Sequence, residues 1–308
     1  MKAVAEAPSK VIVTGEHFVV HGAWALAAAL PRRVRVEISE ASSFGVISDR
    51  FGPKSPKLSP VVRVIEEMGR EFSVSTAVRV SIASQIPEGA GLGSSASTMV
   101  AVASAFSRFH SLGLGVDEVI QLSMAGEQEV HGRPSGIDPN ICARGGVLLF
   151  RPGSKPKKLR LGGSRLLIVS YSGVSRSTKG QIGRVAQMKD RYPGLFSRLA
   201  SAVSELSLEA GRKLVAGDME GLGGLLAVDH AALDSVGVSN ETLDSMVDLM
   251  ATLGSYGAKL TGAGGGGSVI AVAPEAKEKS IVSGLSARGF ETFAVRIPTG
   301  GVKSWLER

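Results

Sequence analysis

The chain has 308 residues, 44% hydrophobic and 20% charged, enough to bury one large core or two moderate ones. Its one cysteine, Cys142, excludes an internal disulfide framework and a cysteine-built zinc site, and it agrees with a reducing, cytoplasmic setting. The formal charge of +7 is spread along a chain with only 5% aromatic residues, which argues against a nucleic-acid interface; no apolar run approaches the ~20 residues that a bilayer requires.

The opening MKAVAEAPSK lacks the apolar centre of a secretory leader. Strand-like runs follow at 10–15 (KVIVTG), 33–39 (RVRVEIS), 44–49 (FGVISD) and 78–84 (VRVSIAS). Helical patterns occupy 94–109 and 116–130, with Asp117 in the first turn of the second, and GGVLLF at 145–150 returns to strand. The densest positive run, GSKPKKLRLGG at 153–163, has no interleaved aromatics and predicts a solvated loop between strands, suited to connect two domains. RLLIVSYSG at 165–173 predicts a strand. Helices dominate 177–256, broken near Pro193, Gly217 and Gly237. A strand at 268–273, a helix at 275–287 and a strand at 292–297 close the pattern. Strands and helices mix without regular alternation, so the fold class is α+β, divided into 1–160 and 161–308.

One stretch stands out, PEGAGLGSSAS at 87–97, with alternate glycines at the head of an apolar helix. It lacks the lysine of a Walker loop, the final glycine of a nucleophile elbow, and the third glycine of a dinucleotide fingerprint. Gly262, Gly264 and Gly267 do match that fingerprint, but a strand rather than a helix follows them. What remains is a general mechanism: glycines let backbone amides close on an anion, and a helix N-terminus adds unpaired N–H groups and partial positive charge. Ser94 and Ser95 can cap that helix or reach a phosphate. The plainer reading is a strand-to-helix turn with an ordinary serine cap.

Three further stretches bear on that choice: SKVIVTGEHFVVHG (9–22), GEQEVHGRPSGIDPNICARGG (126–146) and KLTGAGGGGSVIA (259–271). With the glycine loop they resemble, in order along the whole chain, the motifs of the GHMP small-molecule kinases, whose members phosphorylate galactose, homoserine, mevalonate and phosphomevalonate. GEHFVVHG and HGRPSGID are similar to spellings of the mevalonate-phosphorylating branch, as is SGVSRSTKGQIGRV (172–185), which in that branch lines the substrate side.

The resemblance implies an ATP-binding domain over 1–160, like ribosomal protein S5 domain 2, and a ferredoxin-like GHMP kinase domain with added helices over 161–308. It implies ATP and mevalonate meeting between them, with Mg2+ as cofactor. Asp138 matches the aspartate that takes the acceptor's proton; from its local sequence alone it reads as a turn residue capping nearby amides. Lys10 matches the lysine beside the reacting centre, where a cation favours the developing alkoxide; the plainer reading is a solvent-facing lysine at a strand start. The family usually carries glycine before this lysine, and here Ser9 stands there. Pro87, Gly89, Ala90, Gly91, Leu92, Gly93, Ser94, Ser95, Ala96 and Ser97 fall on the ATP loop. Ser95 and Glu127 fall on the magnesium ligands, while Glu129, about 200° further round its helix, reads as solvated. Glu16, His17 and Gly264 fall on the substrate side, and Thr98 stands where relatives can carry a tyrosine. A homodimer is left open. A non-catalytic nucleotide-binding regulator and a nucleic-acid binder are the readings from other classes. Lys10 and Asp138 together argue against the first.

Overall fold

A computed structural model describes residues 2–131, 134–174, 178–297 and 299–307. The chain begins with a long antiparallel pair, β1 (Lys2–Thr14) and β2 (Ala25–Glu40). Both outrun the strands predicted at 10–15 and 33–39, and each contains a proline, Pro8 or Pro31, a residue that ordinarily interrupts a ladder. The register explains why they are tolerated. Pro8 pairs with Arg33 and Ser9 with Leu30, so Pro31 and Arg32 are the extra residues of a bulge, and the missing prolyl N–H groups fall where the ladder is already interrupted.

There follow β3 (Gly45–Ser48), α1 (Ser59–Phe72), β4 (Val78–Ser84), α2 (Ser94–Phe109), α3 (Val116–His131), α4 (Ile137–Arg144), β5 (Val147–Phe150) and β6 (Lys157–Leu159). The basic run at 153–163 thus contains a short hairpin strand, β6, paired with β5. The first sheet has the order β11-β1-β2-β4-β3 once the last strand, β11 (Lys303–Glu307), is included, and β5 continues from β2. Among the described residues only β3 and β4 pair in parallel. Helix α2 is buried along nearly its whole length against this sheet and α1, α3 and α4, which is why its sequence is apolar on every face.

Between those parts lie β7 (Arg165–Tyr171), α5 (Thr178–Arg191), α6 (Pro193–Ala216), α7 (Met219–Ser235), α8 (Glu241–Thr252), β8 (Gly257–Thr261), β9 (Ser268–Val272), α9 (Glu278–Ser286) and β10 (Glu291–Ile297). The helix breaks fall where the sequence put them. Pro193 opens α6 and Gly217, at φ +78°, ends it. Asp218 and Asn240 cap α7 and α8 through Gly221 N (2.8 Å) and Leu243 N (3.0 Å).

The antiparallel second sheet, β10-β7-β9-β8, is buried on both faces. Leu167, Val169, Ile270 and Val272 face the first core, whereas Leu166, Ile168, Val269 and Ala271 face the helices of the second. Its inner strands therefore read as continuous apolar runs rather than alternating ones. Among the described residues no helix is long and apolar enough to cross a membrane.

Candidate active site

The loop between β4 and α2 is shaped by three glycines with left-handed backbones, Gly89, Gly91 and Gly93 at φ +73°, +77° and +77°. The carbonyls of Glu88, Ala90 and Leu92, which alternate with them, are all drawn backward. They accept from Tyr171 Oη (3.0 Å), Ser268 Oγ (2.8 Å) and Lys10 N (2.9 Å). Ala90 and Leu92 point into the core. The opposite side of the loop meets the first turn of α2, whose N–H groups have no helical partner, an arrangement suited to an anion.

Of the two roles open to the serines, a helix cap or a contact to phosphate, the cap does not form. Gly93 is the cap residue of α2 and no side chain caps the helix. Ser95 Oγ instead donates to Glu127 Oε1 at 2.6 Å, and Ser97 is buried, its hydroxyl 2.8 Å from both Pro8 O and Gly93 O. Ser97 and Ala96 thus brace the loop from behind; Gly89, Gly91, Gly93, Ser94 and Ser95 form its open side, with Pro87 half-buried at its entrance. Thr98 turns its hydroxyl back to Ser94 O at 2.8 Å.

Lys10 and Asp138 meet below this loop, Nζ to Oδ2, at 2.9 Å. Asp138 lies in the first turn of α4, a helix absent from the predicted elements, which starts after Gly136 at φ +85°. The Lys10 side chain is 5% exposed rather than solvent-facing, and Asp138 is 26% exposed. Lys10 passes so close beneath Gly93 that a Cβ there would lie 2.6 Å from Lys10 Cγ. Only glycine allows both that approach and the loop's backbone.

Glu127, on α3, is buried, and burial pushes its carboxyl up to about 7. The Ser95 hydroxyl and Lys10 work against that rise, and Asp138 adds to it. Glu129, two residues on, is exposed and accepts a hydrogen bond from Ser59 Oγ. Cys142 lies 3.4 Å behind Ser97, and burial holds its thiol up at about 12, so it is inert.

Beside the open face of the loop is a cavity of about 430 Å3. Ser94, Ser95 and Thr98 border one side; Phe51, Leu58, Pro60 and Met99 supply apolar walls, and Asp49, Arg50 and Lys57 stand on the segment from β3 to α1. Its volume suits a nucleotide base and sugar. The residues from 49 to 61 carry no motif, and nothing in their sequence marks them as walls of a site.

On the other side, His17 is half-buried with φ +60°, and its Nε2 lies 3.0 Å from Ala263 O. Glu16 is buried and turned toward Lys259 rather than into the cleft. Gly264 packs on the turn before α8, where a Cβ would lie 2.1 Å from Val238 O. Gly132 and Arg133 of the HGRPSGID stretch, and residues 175–177 of the stretch 172–185, lie outside the described residues. Sequence reasoning missed Tyr171, Ser268, Lys259 and Asp229. The one signal for the last two is a charged residue within an otherwise apolar run, GAKLT and LLAVDHAAL.

The sequence matches the family patterns described as GHMP kinases N terminal domain, over residues 59–146, and GHMP kinases C terminal, over 195–291. It is 34% identical to the mevalonate kinase of Aeropyrum pernix, over 97% of each chain. It is also 34% identical to that of Methanothermobacter thermautotrophicus, over 89% of this chain and 91% of the other. The structure superposes on L. major mevalonate kinase in complex with R-mevalonate with a TM-score of 0.83, at 29% identity and 96% coverage of both chains. The Methanococcus jannaschii mevalonate kinase gives a TM-score of 0.82 at 27% identity, covering 96% of this chain and 98% of that one.

Proposed function

The chain belongs to the GHMP kinase family, and on that premise we propose that it transfers the γ-phosphoryl group of ATP to the 5-hydroxyl of (R)-mevalonate, a step toward isoprenoids. The carrying observation is the Lys10–Asp138 pair, 2.9 Å apart beneath a glycine loop built to hold phosphates. Similarity to mevalonate kinases along nearly the entire chain supports the choice of acceptor. One buried free cysteine suits a cytoplasmic setting.

Phosphoryl transfer leaves a protein little covalent work beyond positioning and charge neutralisation. The loop amides and the N-terminus of α2 hold the phosphate oxygens while the base and sugar occupy the cavity. Asp138 takes the proton of the acceptor hydroxyl as that oxygen bonds to the γ-phosphorus, and the bond from phosphorus to the β–γ bridging oxygen breaks to leave ADP. The Lys10 ammonium steadies charge on the attacking oxygen. Among the described residues no three His, Cys, Asp or Glu side chains gather to hold a metal. Magnesium needs less, because it keeps several waters and takes one or two hard oxygens. The Glu127 carboxyl and Ser95 hydroxyl fit that requirement, as two hard oxygens that already lie 2.6 Å apart at the loop. Bound with ATP there, the ion would neutralise phosphate charge.

Asp138→Asn tests the reading. Nucleotide binding, followed by calorimetry, should change less than about threefold, while mevalonate-dependent ADP release should fall by roughly 10²–10⁴. Wild-type turnover in that variant would remove Asp138 as the base.

A further inference from the structure

Behind the opening turn lies an ion cluster with no part in the chemistry above. The Lys259 ammonium, on β8, is fully buried. It donates to Glu16 Oε1 and to Leu260 O (2.7 Å), and it lies 3.3 Å from Asp229 Oδ2 on α7. The same Asp229 oxygen accepts from the amide of Gly15 at 3.3 Å. One ammonium therefore stands between two buried carboxylates, and the cluster grips consecutive residues of one turn, Gly15 by its backbone and Glu16 by its side chain. Glu16 Oε2 and Asp229 Oδ1 are buried without hydrogen-bond partners among the described residues. Such an arrangement is weak as a source of stability, since ionic groups of this kind are often replaceable by apolar ones. It is strong as a way to fix geometry.

The geometry it fixes is unusual. His17, the next residue, adopts φ +60°, a strained conformation for a non-glycine residue that persists only when its surroundings impose it. A second tie, from His17 Nε2 to Ala263 O (3.0 Å), runs to the loop just after β8. That loop leads into Ser268, which holds the phosphate loop through Ala90 O. The turn from 15 to 17 therefore lies between the strand that carries Lys10 and the loop that braces the phosphate cradle.

We propose that Asp229 and Lys259 are positioning residues that set the Gly15–His17 turn, and with it the His17 imidazole, against the acceptor alcohol. The proposal rests on the phosphotransfer reading above for its kinetic consequences, but its structural content stands apart from that reading. Asp229→Ala leaves Lys259 paired one-to-one with Glu16 and strips Gly15 of its acceptor; Asp229→Asn keeps an acceptor oxygen of the same shape. Lys259→Met removes the grip on Glu16.

The test combines amide hydrogen exchange with steady-state kinetics, on variants that thermal unfolding shows to be folded. In Asp229→Ala, exchange should rise at least tenfold across residues 15–17 and stay unchanged across 87–97. KM for mevalonate should rise fivefold or more, with KM for ATP within twofold, and Asp229→Asn should recover most of both effects. Lys259→Met should repeat the pattern; if it does not fold, Asp229→Ala decides. Unchanged protection at 15–17, or parallel loosening and KM changes on both sides of the cleft, would overturn the positioning role. If the wild-type protein released no ADP with mevalonate, the phosphotransfer reading would fail, and the exchange data alone would still decide whether the cluster sets the turn.

Discussion

Glu127 shows how one residue's surroundings couple stability to ligand. Burial lifts its carboxyl from an ordinary value of 4.5 to about 7. Between those values the folded chain keeps a proton that the unfolded chain has released, so this group's contribution is intact below about pH 4.5 and fades as pH rises through 7. Burial also pushes Glu16 upward, against the pull of the Lys259 ammonium beside it. The magnesium-free protein should therefore lose thermal stability from pH 5 to pH 8, and Glu127→Gln should flatten that decline by about 3 kcal/mol. Parallel pH profiles for the two proteins would contradict the assignment. At this scale the proposed catalytic pair could be named in advance, because Lys10 and Asp138 sit in distinctive stretches, and the two side chains do meet. Asp229 and Lys259 could not be named, because a single charge within an apolar run does not say which distant charge it will meet. Local sequence left the serines open between a helix cap and a phosphate contact; a left-handed glycine holds the cap position, so the plainer reading is the one that falls.

Among elements, the glycine loop at 87–97 is held chiefly from outside itself. β1 supplies Lys10 N, β7 supplies Tyr171, and β9 supplies Ser268. Removal of one such bond should loosen the cradle without touching the acceptor. Ser268→Ala leaves Ala90 O buried without its partner, a loss of roughly 1–3 kcal/mol. KM for ATP should rise about fivefold or more in steady-state assays, with KM for mevalonate unchanged; equal changes in both would count against the loop's separate support. The sequence exposed the long helices and their breaks, since proline, glycine and capping residues mark them locally. It hid α4, whose eight residues follow a glycine and include a proline, and it shortened β1 and β2, whose prolines are harmless only because they share a bulge that no local pattern reveals.

In the whole molecule, the last strand closes the first sheet. β11 pairs with β1 from Lys2↔Glu307 to Glu6↔Lys303, although more than a hundred residues of the second sheet and its helices intervene. A division of the sequence at residue 160 assigns β11 to the second part, because pairing between distant segments leaves no trace in composition. Truncation after residue 298 should expose the edge of β1, lower the unfolding midpoint by about 5 °C or more and promote aggregation; an unchanged midpoint would show the strand to be dispensable. The α+β class and the order of the motifs were readable, and together they led to the cleft. Function at this scale is acceptor choice, and it is tested most directly by ADP release with magnesium and ATP across (R)-mevalonate, phosphomevalonate, galactose and homoserine. The expected kcat/KM for mevalonate lies at least about 100-fold above each of the others. A higher value for any other acceptor, or no ADP release with mevalonate, would contradict that expectation.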